Sequence, residues 1–142
     1  MVLLFEKILV PLDGSEHSTR ALEEAVQIAK KVGGKITLVH VYSVGSFAIT
    51  PMQVYRYVQA MRKNGAGILA DGEKRAKAEG VQVETLLLEG HAVEEILKTA
   101  KEGDFNLVVV GARGMSGIKE LLMGSVSDGV TKHAPCPVLV VR

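Results

Sequence analysis

Two cations, four glycines and three serines converge in one short stretch, Gly-Ala-Arg-Gly-Met-Ser-Gly-Ile-Lys-Glu-Leu-Leu-Met-Gly-Ser-Val-Ser, running from Gly111 to Ser127. Gly111, Gly114, Gly117 and Gly124 permit backbone conformations that turn several N–H groups into one concavity with no side chain in the way. Arg113 and Lys119 add positive charge, and the hydroxyls of Ser125 and Ser127 can donate to phosphate oxygens. Gly124 and Ser125 also open a helical pattern, whose first N–H groups and positive dipole end favour an anion. The chemistry suggested is the binding of a polyphosphate. The competing reading is a long connection whose glycines serve only turns and a helix cap. The stretch contains neither the Gly-Lys-Ser/Thr of a Walker A loop nor a Gly-x-Gly-x-x-Gly dinucleotide fingerprint.

What favours the phosphate reading is the setting, because the stretch follows the apolar run Phe105 to Val110, which reads as a buried strand. Short runs rich in Val, Leu and Ile alternate with segments of helical period along the whole chain, the signature of an α/β fold. Strands are expected at 7–11, 35–42, 82–88, 106–111 and 137–141. Their apolar character is continuous rather than alternating, as suits a parallel sheet covered on both faces. Ala21, Leu22, Ala25, Ile28, Ala29 and Val32 mark a first helix that begins near Ser15 and is stopped by Gly33-Gly34. A second runs over 52–79, where Gly65, Gly67 and Gly72 predict a weakened or kinked middle. A third covers 93–101, and a fourth begins at Ser125 and ends before Pro135. The connection 43–51 has no periodic pattern and is the one candidate for a mobile lid.

In a doubly wound sheet the ligand crevice lies at the carboxyl ends of the strands, where the winding reverses. The order 3-2-1-4-5 puts that point between strands one and four, and 2-1-3-4-5 puts it between strands one and three. The first order is favoured because it brings the glycine stretch face to face with Val10-Pro11-Leu12-Asp13-Gly14-Ser15. Asp13 then sits at the rim, where its carboxylate can accept from ribose hydroxyls; the alternative is an Asx turn with Gly14 that caps the first helix. Pro11, Leu12 and Val41 border the same space and can frame an adenine ring, although they are equally explained as core.

At 142 residues, 47% hydrophobic and 23% charged, with a mean hydropathy of +0.21, the chain is expected to be one domain over 1–142 with a sizeable core. A net charge of +1 with no dense basic block lacks the footprint of a nucleic-acid binder. Cys136, flanked by Pro135 and Pro137, is the single cysteine, which rules out an internal disulfide and fits a reducing compartment. His17, His40, His91 and His133 have no metal-ligand spacing and read as surface or packing residues. The opening Met-Val-Leu-Leu-Phe is broken by Glu6 and Lys7, so neither a signal peptide nor a membrane span is expected, and the chain is read as cytoplasmic.

Gly111-x-x-Gly114, then nine residues, then Gly124-Ser125 resembles the nucleotide-binding signature of the ATP-binding branch of the universal stress protein family. Ile8-Leu9-Val10-Pro11-Leu12-Asp13-Gly14-Ser15 resembles the family's first strand and turn, and His133-Ala134-Pro135-Cys136-Pro137-Val138-Leu139-Val140-Val141 its ending. The resemblance implies a three-layer, adenine nucleotide alpha hydrolase-like fold with a doubly wound five-stranded parallel sheet in the order 3-2-1-4-5. It also implies ATP in the crevice, with Mg or Mn accompanying the phosphates. By that likeness Asp13 holds the ribose and Pro11 and Val41 touch adenine. Gly111, Arg113, Gly114, Gly117, Gly124, Ser125, Val126 and Ser127 surround ribose and phosphates. The resemblance further implies a homodimer, which the edge position of strand 137–141 (Pro137-Val138-Leu139-Val140-Val141) supports independently, since an uncovered apolar edge invites pairing across a two-fold axis.

No carboxylate has the spacing of a water-orienting base or a dedicated Mg²⁺ ligand, so the expectation is a nucleotide-dependent switch or stress-response regulator with at most slow hydrolysis. AMP or cyclic AMP as the ligand, and a nucleotide-free dimeric interaction module, are the alternatives. An adenylating ATP-pyrophosphatase would want Ser-Gly-Gly after strand one, and a phosphoacceptor receiver would want paired acids there; Leu12-Asp13-Gly14-Ser15 supplies neither.

Overall fold

A computed structural model describes residues 4–45, 50–113 and 124–142. The chain alternates β1 (Lys7–Pro11), α1 (Glu16–Val32), β2 (Lys35–Tyr42), α2 (Pro51–Ala78), β3 (Val83–Glu89), α3 (Ala92–Glu102), β4 (Leu107–Gly111), α4 (Ser125–His133) and β5 (Val138–Val141). All strand pairs are parallel and the sheet order is β3-β2-β1-β4-β5. The register sets Lys7 opposite Lys35, Ile8 opposite Leu107 and Val108 opposite Val138. This is the order expected, and it places the reversal of winding between β1 and β4.

Side-chain alternation along the strands divides the core into two layers. Ile8, Val10, Ile36, Leu38, Leu107 and Val109 pack on α1 and α2. Leu9, Val39 and Val108 face the opposite way and pack with Ile96 and Ala100 of α3 and Val130 of α4. β1 and β4 are buried almost throughout, as their continuous apolar runs require, whereas the edge strands β3 and β5 are only partly covered.

The helix ends follow their sequence signals. Ser15 caps α1 by accepting from the Ser18 N–H, and Gly33 closes it at φ 71°, the left-handed conformation that glycine adopts without strain. Thr50 and Gln53 form a reciprocal capping box at α2, with Pro51 in its first turn. The glycines expected to weaken or kink α2 do not interrupt it, for the helix runs continuously over 28 residues. The reason is packing. A Cβ at Gly65 would stand 2.6 Å from His40 Cδ2, and one at Gly72 would stand 2.6 Å from Leu12 Cδ1, so these glycines let the helix lie close on the sheet. The exception is Gly67, whose Cβ would meet nothing within 4 Å.

Candidate functional site

The carboxyl ends of β1 and β4 open into a cavity of about 260 Å³. Its lining includes Pro11, Asp13, Val41, Gly111, Arg113, Gly124, Ser125, Val126 and Ser127, so nine expected residues from four elements and their loops meet in one crevice. Gly114 and Gly117, expected in the same cradle, lie outside the described residues, as does Lys119. Of the connection 43–51, residues 46–49 lie outside the described residues, and so does that part of the lid expected there.

The β1 lip is a rigid turn. Leu12 N–H continues the ladder to Val39 O at 2.8 Å, and Gly14 takes φ +87°, a value that favours glycine. Asp13 Oδ1 accepts from the Ser15 N–H at 2.9 Å, so the Asx turn is present. The same carboxylate lines the cavity and belongs to an exposed residue. The two readings of Asp13 are therefore compatible, because the turn fixes one carboxylate oxygen and aims the group at the crevice. Behind the turn, His40 Nδ1 meets the Leu12 carbonyl at 2.7 Å, and since the carbonyl only accepts, Nδ1 is the donor.

The opposite lip is the base of the glycine stretch. Ala112 O accepts from Gly124 N–H at 2.7 Å and from the Ser127 hydroxyl at 2.7 Å, which ties residues 112 and 124 together across the connection between them. The Ser127 hydroxyl also lies 3.1 Å from Gly124 O, and the residue is only 1% exposed. Its single proton is thus spent on the loop's own backbone. The group of Ser127 left to donate into the cavity is its main-chain N–H.

That N–H is one of three at the start of α4. Asp128 N–H is the first to bond back, to Gly124 O at 3.0 Å, so those of Ser125, Val126 and Ser127 have no intrahelical acceptor. Gly124 sits at the N-cap with φ −65° and ψ 161° and supplies no side-chain cap. The helix therefore presents three donors and the positive end of its dipole where Gly124 and Ser125–Ser127 line the cavity. Arg113, half-buried, brings a guanidinium to the same space.

Between the two polar lips the wall is apolar: Pro11, Val39, Val41, Val110, Ala92 and Ile96. Val39, Ala92 and Ile96 were not foreseen. Val39 shares the face of Val41 by the two-residue period of a strand, and Ala92 and Ile96 are one helical turn apart, so periodicity carried the signal once α3 was placed over that face. An apolar slot flanked by a carboxylate on one side and by free helix N–H groups and a guanidinium on the other can hold a flat heteroaromatic ring, a diol and an anion in a row. Among the described residues no three His, Cys, Asp or Glu side chains converge as a metal site, and no helix is long and apolar enough to cross a membrane.

Comparison with known proteins agrees with this architecture. The model of the Universal stress protein family matches residues 4–142. Universal stress protein YxiE of Bacillus subtilis is 38% identical over 148 residues, which span 98% of this chain and 100% of that protein. Among solved structures, a universal stress protein in complex with cAMP is 30% identical with a TM-score of 0.71, and the match covers 98% of each chain. A universal stress protein family protein from Arabidopsis thaliana with AMP bound is 25% identical with a TM-score of 0.72, covering 95% of this chain and 90% of that one.

Proposed function

The chain belongs to the universal stress protein family, and from that premise we propose that it is an adenine-nucleotide-binding switch of the stress response, with ATP as its preferred ligand. The observation that carries the proposal is the uncapped start of α4, where three N–H groups without helical partners stand with Arg113 at one end of a slot whose walls are apolar. In this reading the adenine lies between Pro11, Val39 and Val41, and Asp13 accepts from the ribose. The phosphates run along Gly111, Arg113 and the N–H groups of Ser125, Val126 and Ser127, with Gly114 and Gly117 completing the cradle. Mg²⁺ or Mn²⁺ would be held by phosphate oxygens and water, a fit for a site in which the described residues offer no converging acidic group.

Asp13 faces the ribose end, so no described carboxylate is assigned to a water at the γ-phosphate, and turnover is at most slow. The signal is the bound state itself. β5 is the sheet edge and Leu139 on it is 37% exposed. Pairing of strand 137–141 with a second copy would cover that edge and place two crevices in one homodimer. The solved relatives that hold AMP and cAMP favour a nucleoside monophosphate as the second reading.

The test is to denature freshly purified protein without added nucleotide and to identify the small molecule released by liquid chromatography and mass spectrometry. Stoichiometric ATP is expected. AMP or cyclic AMP would establish the second reading, and a guanine nucleotide would overturn the adenine assignment.

A further inference from the structure

A buried polar atom without a partner is destabilising, so each one asks for a reason. Among the described residues one side-chain atom is in that state, Nδ1 of His17. His17 is the second residue of α1, and its main chain is pressed against the end of β4: a Cβ at Gly111 would lie 2.7 Å from the His17 carbonyl carbon. That contact fixes His17 relative to the strand whose end lines the crevice. Its other ring nitrogen, Nε2, lies 3.5 Å from Nη2 of Arg113.

A guanidinium only donates, so in this contact Nε2 offers its lone pair. The ring proton then sits on Nδ1, the atom with no partner. A phenylalanine would fill this space without an orphaned donor, so the imidazole is explained by what Nε2 does. The other charged side chains near the start of α1 have different partners. Arg20 donates to Arg142 O at 3.0 Å and lies 4.0 Å from Glu16, and Asp13 Oδ1 accepts from Ser15 N–H.

We propose that His17 is a positioning residue, whose imidazole Nε2 holds the Arg113 guanidinium at the crevice and so makes the site prefer a phosphorylated nucleotide over the neutral nucleoside. The inference rests on the adenine-nucleotide reading above. A tethered arginine has less rotamer freedom left to lose when a phosphate arrives, and that difference is available as discrimination.

Calorimetry with AMP and adenosine on wild type, His17→Phe and His17→Gln tests the proposal. His17→Phe should weaken AMP about 5- to 10-fold and leave adenosine within about 2-fold, and the amide oxygen of His17→Gln should restore most of the loss. Unchanged AMP affinity in His17→Phe, or equal losses for AMP and adenosine, would overturn it, the second pointing to a merely structural role. A wild type that binds neither ligand would instead defeat the adenine-nucleotide reading. The side-chain ¹⁵N resonances of Arg113 then still decide the tether: separate, sharp Nη signals are expected in wild type and in His17→Gln but not in His17→Phe, and identical signals in all three would overturn it.

Discussion

Replacing Gly124 by Asp should strengthen the fold and destroy the site at once. Gly124 occupies the N-cap of α4 at φ −65° and ψ 161°, ordinary extended backbone that any residue adopts, so an aspartate meets no conformational penalty there. Its carboxylate would accept from the N–H of Val126 or Ser127, the donors assigned to phosphate, and would meet the positive end of the helix. Exchange of Gly for Asp at an N-cap is worth a few tenths of a kcal/mol and the dipole about 0.3–1 more, so roughly 0.5–1 kcal/mol of added stability is expected. For a chain of this size that is a rise in Tm of about 1–4 °C.

The same carboxylate would stand about 5 Å from a bound phosphate. At an effective dielectric of about 20 the repulsion is about 3 kcal/mol per charge, a loss in affinity on the order of 100-fold. Differential scanning calorimetry and isothermal titration with AMP and adenosine read both effects. Adenosine, which lacks the phosphate, should lose much less than AMP. Retained AMP affinity would refute the assignment of phosphate to the start of α4, and a fall in Tm would refute the account of Gly124 as an uncapped N-cap.

Four further outcomes follow from packing and burial. Gly67→Ala, at a helical position where a Cβ meets nothing within 4 Å, should stabilise the protein by about 0.5–1 kcal/mol in urea unfolding. Gly72→Ala gains the same propensity but drives its Cβ to 2.6 Å from Leu12 and 2.9 Å from Leu38, so a net loss of about 1–2 kcal/mol and a weaker nucleotide affinity through the displaced Leu12 are expected from the same pair of experiments. Ser127→Ala removes the hydroxyl that ties Ala112 to α4 and should cost about 1 kcal/mol in thermal unfolding even without ligand; an unchanged Tm would return that hydroxyl to the phosphate. Burial pushes the Cys136 thiol up, so at neutral pH the thiolate is scarce; alkylation by iodoacetamide should be slower than for an exposed cysteine and should speed up as pH rises towards the thiol's raised pKa.

The features written locally in the chain were legible in it. Ser15 and Gly33-Gly34 are start and stop signals whose physics lies within a few residues, and the continuous apolar runs named a parallel sheet, whereas the equally local cap at Thr50 and Pro51 went unread. The order β3-β2-β1-β4-β5 came from asking which topology brings two loop motifs together. What was not legible depended on contacts distant in sequence. The glycines of α2 read as a weakness, because nothing local says that Gly65 and Gly72 lie against His40 and Leu12. Ser127 read as a phosphate donor, because its engagement with Ala112, fifteen residues back, appears only when the loop closes. His17 read as a surface or packing residue, because its neighbour Arg113 lies 96 residues away. The apolar wall from Ala92 and Ile96 needed α3 placed in space before its periodicity meant anything.

The central claim is that this crevice holds an adenine nucleotide by its phosphates and its base together. Its most direct test is isothermal titration of nucleotide-stripped protein with ATP in the presence of Mg²⁺, with GTP as the control. One ATP per chain, bound at least about 10-fold more tightly than GTP, is the result predicted, since an apolar slot with fixed backbone groups discriminates between purines by about 1.4 kcal/mol or more. No binding of ATP at millimolar concentration, or equal affinity for GTP, would contradict it.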